Sequence, residues 1–337
     1  MNIGFVMNWW HNHGGVATWA KTLISRLMET DTVRLGIYNY KNSDIKSANS
    51  LGCEVFDSCR KVAWRSDVLV LWHTGKETPR ILDKTPLPPT ITVSHEGEKS
   101  EATREAIRHQ AKWSSRYVYV EPTAIGSIPL EHQHLSVCIP NAPDPRLCRV
   151  SSSRSEFRKS IGVSSEQVLL GMMTRITPAK GIHLIADAVR LLGDNFRFVV
   201  SGRLAGKSHE AYAKALARSG VILLPPQDTH NLLYASDFSV SASESEGNSY
   251  SLLESLLAGV PVVSTRVGLL NTNPQLARIT KPSVDAIAEA IRLDWDDVQG
   301  RVLRACASRQ WIADNASVDV FMEKWRRLIY ETANKST

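Results

Sequence analysis

Long apolar runs are missing from this 337-residue chain. Its longest, such as Val68–Trp72 and residues 221–224, fall far short of the roughly 20 residues that cross a bilayer, so no spanning helix is expected. The opening MNIGFVMNWW lacks a basic region ahead of its apolar residues and a small-residue cleavage site, which argues against a secretory signal. A cytoplasmic protein is expected, with peripheral contact at the inner face of a membrane left open. Cysteine is scarce and odd in number: Cys53, Cys59, Cys138, Cys148 and Cys306 match no zinc spacing, so reduced thiols fit better than a disulfide framework. No G-x-G-x-x-G follows a strand near the start of either half, which disfavours a dehydrogenase. What the chain does have is an ordinary globular composition, 43% apolar and 22% charged, and a net charge of +6 that leans weakly toward an anionic partner. Its length exceeds what one hydrophobic core usually serves, so two domains are expected.

Apolar spacing sets the organisation. Asn2–Met7 is a short apolar run followed by NWWHNHGG, after which Val16, Ala20, Leu23, Ile24, Leu27 and Met28 recur at helical spacing. Further β-rich runs over 33–40, 67–73, 90–96 and 117–120 are separated by polar or helical stretches, and that alternation predicts a parallel sheet. Residues 141–155, with two prolines and a serine cluster, form the linker candidate. The pattern then restarts, with strands over 168–174, 196–202, 221–224, 238–243 and 260–265 and helices over 181–192 and 249–258, the latter closed by Gly259. Val318, Phe321, Trp325, Leu328 and Ile329 share one face of a last helix, a stripe that predicts core packing.

The densest chemistry lies in SASESEGNSYSLLESLLAGVPVVST, where Glu246 and Glu254, spaced E-x7-E, flank a loop that turns into a helix. Asn248 or Ser249 is placed to cap that helix, and the backbone N–H groups of its first turn, with the helix dipole, suit a diphosphate. Carboxylates are poor phosphate ligands, so at a sugar-nucleotide site the glutamates would bond hydroxyls, one on the sugar and one on the ribose. In isolation, E-x7-E reads instead as a dipole partner and a surface residue. Arg175 and Lys180 in GMMTRITPAKG, the Gly14-Gly15 pair and the strand-end His95 are each unremarkable alone. Trp9 and Trp10 beside the glycine pair suit stacking on a sugar or base, or plain packing. His11 and His13 lack a third ligand in sequence reach, and Asp294, Asp296 and Asp297 read as capping residues, so no metal site is expected. Arg104, Arg108, Lys112 and Arg116 recur at steps of four along a helix over 101–115, either a phosphate-contacting stripe or a solvated face partnered by Glu101 and Glu105.

These segments together resemble the retaining glycosyltransferases of the GT-B fold, specifically the E-x7-E type (family four, group 1). The resemblance is carried by Glu244 to Gly247, Glu254-Ser255 and Gly259 to Thr265, by the strand and loop 171–181, and by CIPNAPD, residues 138–144, which is similar to the family's hinge although Ala142 and Pro143 depart from its glycine-containing form. It implies an α/β chain of two Rossmann-like domains facing across a cleft: 1–145 binding the acceptor, 146–315 binding a nucleotide sugar, and a helix over 316–337 packing back on the first domain. It implies further that Arg175 and Lys180 hold the donor diphosphate and offset leaving-group charge. Glu246 would position the sugar, Glu254 the ribose and Gly14-Gly15 the phosphates, with Gly247, Asn248, Ser249 and Tyr250 lining the donor and His95 facing the sugar as a catalytic-site residue. Trp9, Trp10, His11, Arg104, Arg108 and Lys112 are the candidate acceptor contacts.

The expected reaction moves a sugar from a UDP- or GDP-sugar to an acceptor hydroxyl with retention, needing no cofactor or metal. A glycan or lipid-linked glycan is the leading acceptor, with a membrane-surface lipid or a nucleic-acid base as the alternatives reached through the basic stripe. A nucleotide-sugar epimerase and a non-catalytic nucleotide-sugar sensor are the rival readings.

Overall fold

The structure, a computed structural model, describes residues 1–11, 14–72, 87–95 and 114–334. The chain divides into two compact units, one of Met1–Ala142 with Val318–Thr337 and one of Pro143–Ser317. Among the described residues no helix is long and apolar enough to cross a membrane.

The first unit is built on a seven-stranded sheet of order β3-β2-β1-β4-β5-β6-β7, parallel throughout. Its strands are β1 (Asn2–Met7), β2 (Thr32–Ile37), β3 (Glu54–Phe56), β4 (Val68–Trp72), β5 (Thr90–Ser94), β6 (Arg116–Tyr119) and β7 (Ser136–Cys138). The central strands are apolar runs because both faces of a parallel sheet are covered; Ile3, Phe5, Val68, Leu69, Val70, Ile91 and Val93 are fully buried. Helix Gly15–Leu27 follows β1, and Trp19 on it meets Phe5 at 6.3 Å between ring centroids. The last helix, Val318–Asn334, belongs to this unit. Its stripe is buried as expected, with Trp325 tilted against Trp19 at 5.8 Å, Arg326 donating to the Arg26 carbonyl and the Tyr330 hydroxyl donating to Asp31.

The second unit holds a six-stranded parallel sheet of order β10-β9-β8-β11-β12-β13. These are β8 (Val168–Met173), β9 (Phe196–Ser201), β10 (Ile222–Leu224), β11 (Phe238–Ser241), β12 (Val262–Thr265) and β13 (Arg278–Thr280). Strand order reverses between β8 and β11, so the chain leaves their carboxyl ends in opposite directions and a crevice opens there, the usual ligand position of such sheets. Of the aspartates read as caps, only Asp297 caps, accepting from the Gly300 amide at 2.9 Å. Asp294 is fully buried and takes the guanidinium groups of Arg278, at 3.1 Å, and Arg304.

Candidate functional site

Two loops leave the sheet at the β8/β11 reversal. The first runs from Thr174 through a single 3-10 turn, Pro178–Lys180, into helix Ile182–Leu192. Gly181 sits between them at φ 65°, and a Cβ there would lie 2.3 Å from the Ala242 carbonyl oxygen, so only glycine lets this loop press on the exit of β11. The Glu244 amide donates to the Ala179 carbonyl at 3.2 Å and ties the second loop to the first. From the other side Gly268, at φ 56°, admits the Gly247 carbonyl to 2.4 Å of where a Cβ would stand.

This mutual support brings Lys180 and Glu246 together, Nζ to Oε1 at 2.5 Å, with the side chains only 15% and 18% exposed. Arg175 lies exposed at the same edge with no ion-pair partner among the described residues. The second loop then enters helix Tyr250–Ala258, closed by Gly259 at φ 70°. The expectation of a cap is corrected for Ser249: it takes the N-cap position, but its hydroxyl pairs with Ser251 Oγ at 2.9 Å and accepts no backbone N–H of the first turn. The N–H groups of that turn and the positive end of the helix dipole lie beside Lys180 and Glu246. A small hollow lies here, lined by Thr174, Ser241, Ser243, Glu246, Ser249 and Gly268 together with apolar residues such as Met173, Leu252 and Val267. Its hydroxyls, the ion pair at its edge and a helix start suit an anion flanked by hydroxyls.

Glu254 follows one turn after Tyr250 on the same helix face. The Tyr250 hydroxyl is buried without a partner among the described residues, and burial, then Glu254 and Asp144, push its pKa well up. Beside Glu254 stand two residues that sequence reasoning did not select, Cys148 and His230, whose ligand atoms and a Glu254 oxygen lie within 4.8 Å of one another. They come from the linker, helix Thr229–Ala235 and helix Tyr250–Ala258, and no spacing rule joins positions so far apart in the chain.

The candidates of the first unit fare differently. Gly14 is at φ 113° at the N-cap of helix Gly15–Leu27, and Gly15 is its first residue. Trp9 is 42% exposed and His11 is exposed, so both remain surface residues. Trp10 is corrected: it is fully buried, its indole N–H donating to Ser47 Oγ at 3.3 Å, and it stacks on no ligand. His95 follows β5 with its ring edge-on to Trp19 at 4.9 Å and both ring nitrogens shielded from solvent. His13 and the stripe of Arg104, Arg108 and Lys112 lie outside the described residues.

Residues 167–296 match the model of the family described as glycosyl transferases group 1. The putative teichuronic acid biosynthesis glycosyltransferase TuaC of Bacillus subtilis is 31% identical over 145 residues, 41% of this chain and 36% of that protein. An uncharacterized glycosyltransferase of Methanocaldococcus jannaschii, MJ1607, is 30% identical over 192 residues, 53% of this chain and 47% of its own. The chain thus spans less than half the length of either curated relative. Among solved structures, Anabaena HepE in complex with UDP and glucose superposes with a TM-score of 0.83 at 16% identity, covering 98% of this chain and 100% of HepE. Residues 167–296 are therefore similar to the glycosyl transferases group 1, within a chain that has the GT-B fold.

Proposed function

We propose that the protein is a glycosyltransferase that moves a sugar from a nucleoside diphosphate sugar to an acceptor hydroxyl, with retention of anomeric configuration. The observation that carries this reading is the convergence of Lys180 and Glu246 on the start of helix Tyr250–Ala258, at the strand-order reversal of the second sheet. A diphosphate there draws Lys180 away from Glu246 and adds Arg175, which frees the Glu246 carboxylate to accept from sugar hydroxyls. Glu254 takes the ribose hydroxyls. As the acceptor oxygen bonds to the anomeric carbon, the bond from that carbon to the diphosphate breaks. The departing phosphate carries the electron pair and receives the acceptor proton, and Arg175 and Lys180 stabilise the growing charge. This route needs no metal ion or cofactor.

A UDP-sugar is the donor to try first, because HepE, which shares this fold, is described in complex with UDP and glucose. The acceptor is assigned to the first unit, whose loop after β1 presents the exposed Trp9, and its class to a growing glycan, since TuaC is named for teichuronic acid biosynthesis. The deciding measurement is thermal unfolding of the full chain against UDP-, GDP-, ADP- and CMP-sugars, repeated with Lys180→Ala and Glu254→Ala. A donor that binds only the native state raises the midpoint. The expected result is stabilisation by one nucleotide class, lost in both variants; no shift with any donor overturns the reading.

A further inference from the structure

His230 lies between the linker and Glu254. On one side the Arg149 amide donates to its Nδ1 at 3.1 Å. On the other, its Nε2 is 3.8 Å from a Glu254 carboxylate oxygen, with the His230 and Glu254 side chains 21% and 10% exposed. The next residue repeats the clasp: Asn231 accepts from the Ser151 amide and donates to the Ser151 hydroxyl, each at 2.9 Å. The linker is therefore stitched to helix Thr229–Ala235 at two successive residues, and the imidazole plane is fixed from its Nδ1 side.

Cysteine, histidine and glutamate within 4.8 Å of one another also offer the donor set of a zinc site. The hydrogen-bond direction argues otherwise. A neutral histidine that binds metal through Nε2 carries its proton on Nδ1, and here the Arg149 amide hydrogen already points at Nδ1. The same bond places the ring proton on Nε2, toward Glu254. Cys148, then Glu254, push the pKa of the ring up, but a second proton on Nδ1 would displace the amide. At 3.8 Å the Nε2–H group is too far for a full hydrogen bond. It attracts the carboxylate and restricts its rotamer while leaving the carboxylate lone pairs to accept from other hydroxyls.

We propose that His230 is a positioning residue that holds the Glu254 carboxylate in place to accept hydrogen bonds from the donor's ribose hydroxyls. The proposal rests on the donor reading above for the identity of those hydroxyls, and on the hydrogen bond at Nδ1 for the rest. A merely structural histidine would lower the unfolding midpoint when replaced without changing which nucleotides the protein prefers.

The test is calorimetric binding of UDP, 2′-deoxy-UDP and 3′-deoxy-UDP to the full chain and to Glu254→Ala, His230→Leu and His230→Gln. Loss of a hydrogen bond to a charged acceptor corresponds to about tenfold or more, so wild type is expected to favour UDP over at least one deoxy form by that factor. Glu254→Ala loses the preference, His230→Leu loses most of it, and His230→Gln, which returns an N–H near the Nε2 position, recovers part. A wild-type preference ratio retained in His230→Leu overturns the proposal, whatever its midpoint. Binding of none of these nucleotides by wild type sinks the donor reading instead, and NMR of ¹⁵N-histidine-labelled protein then decides the positioning role. There, Glu254→Gln is expected to shift the His230 Nε2 resonance, and an unmoved resonance overturns it. Zinc bound by wild type and lost in Cys148→Ser also overturns it, because the metal takes the place of the Nε2 proton.

Discussion

The two units repeat one plan: a parallel sheet whose strand order reverses beside its first strand, β1 next to β4 and β8 next to β11, with a glycine-bearing loop leading from that strand into a helix. The loops put that plan to different ends. After β8, Gly181 is required by a carbonyl approaching it, and the residue before it, Lys180, turns to meet Glu246 from the neighbouring loop. After β1, Gly14 is required only by its φ of 113°, with nothing within 4 Å of a Cβ, and Trp10 dives into the core instead of facing out. Topology supplies a crevice edge in both sheets; the side chains that return to that edge decide whether it becomes a charged, hydroxyl-lined site.

The largest effect that would sharpen this contrast is on stability in the first unit. Trp10→Ala is expected to cost about 3–5 kcal/mol, while Trp9→Ala next to it stays within about 0.5 kcal/mol, both read from denaturant midpoints. Equal costs would mean that Trp10 is not the anchor its burial indicates. In the second unit the corresponding change is functional: Arg175→Ala, exposed and unpaired among the described residues, is expected to lower sugar transfer by about 100- to 1,000-fold with an unchanged unfolding midpoint. Transfer at the wild-type rate would remove Arg175 from the charge-stabilising pair. Next comes the loop contact itself. Gly181→Ala is expected to cost about 1–3 kcal/mol from its left-handed φ, with more from the clash against Ala242, whereas Gly14→Ala, at φ 113° and ψ 157°, meets no neighbour and pays backbone strain alone. Denaturant midpoints read both costs, and a Gly181→Ala midpoint equal to wild type would remove the close approach of the Ala242 carbonyl from the contrast.

How much was legible in the sequence follows the same division. The central strands of both sheets stand out as continuous apolar runs because both faces are covered, whereas β3, β7 and β13 are three residues each and carry no period to recognise. Lys180, Glu246 and Glu254 are visible through their motifs, yet the contact between Lys180 and Glu246 joins positions 66 residues apart and depends on Gly181, which no pattern of charge reveals. His230 and Cys148 carry no local signal, since their neighbours come from the linker and from a helix elsewhere in the unit. A Trp-Trp pair in a loop leaves stacking and packing both open and says nothing about which ring turns inward; Ser43 and Ser47, which hold the backbone and indole N–H groups of Trp10, lie over thirty residues on.

The smallest expected effect concerns how the C-terminal helix is fastened to the first unit. Burial raises the Asp31 pKa, but hydrogen bonds from Thr30 and Tyr330 and the charged Met1 amino group 3.2 Å away outweigh it, so the carboxyl titrates below its usual 3.8. A depressed carboxylate contributes stability that is fully present above the unfolded-state value and is lost as pH falls through the folded one. Stability tied to Asp31 should therefore be intact near neutral pH and fade below about pH 4. The share of it that comes from the exposed Tyr330 hydroxyl, at 2.9 Å, should stay under about 1 kcal/mol. Asp31→Asn is expected to flatten the acid limb of the stability curve slightly, and Tyr330→Phe to do the same by removing the donor. A Tyr330→Phe curve parallel to wild type through the acid range would show that the helix is held by the Trp19–Trp325 contact, its apolar neighbours and Arg326, and that the hydroxyl bridge adds nothing to the fastening.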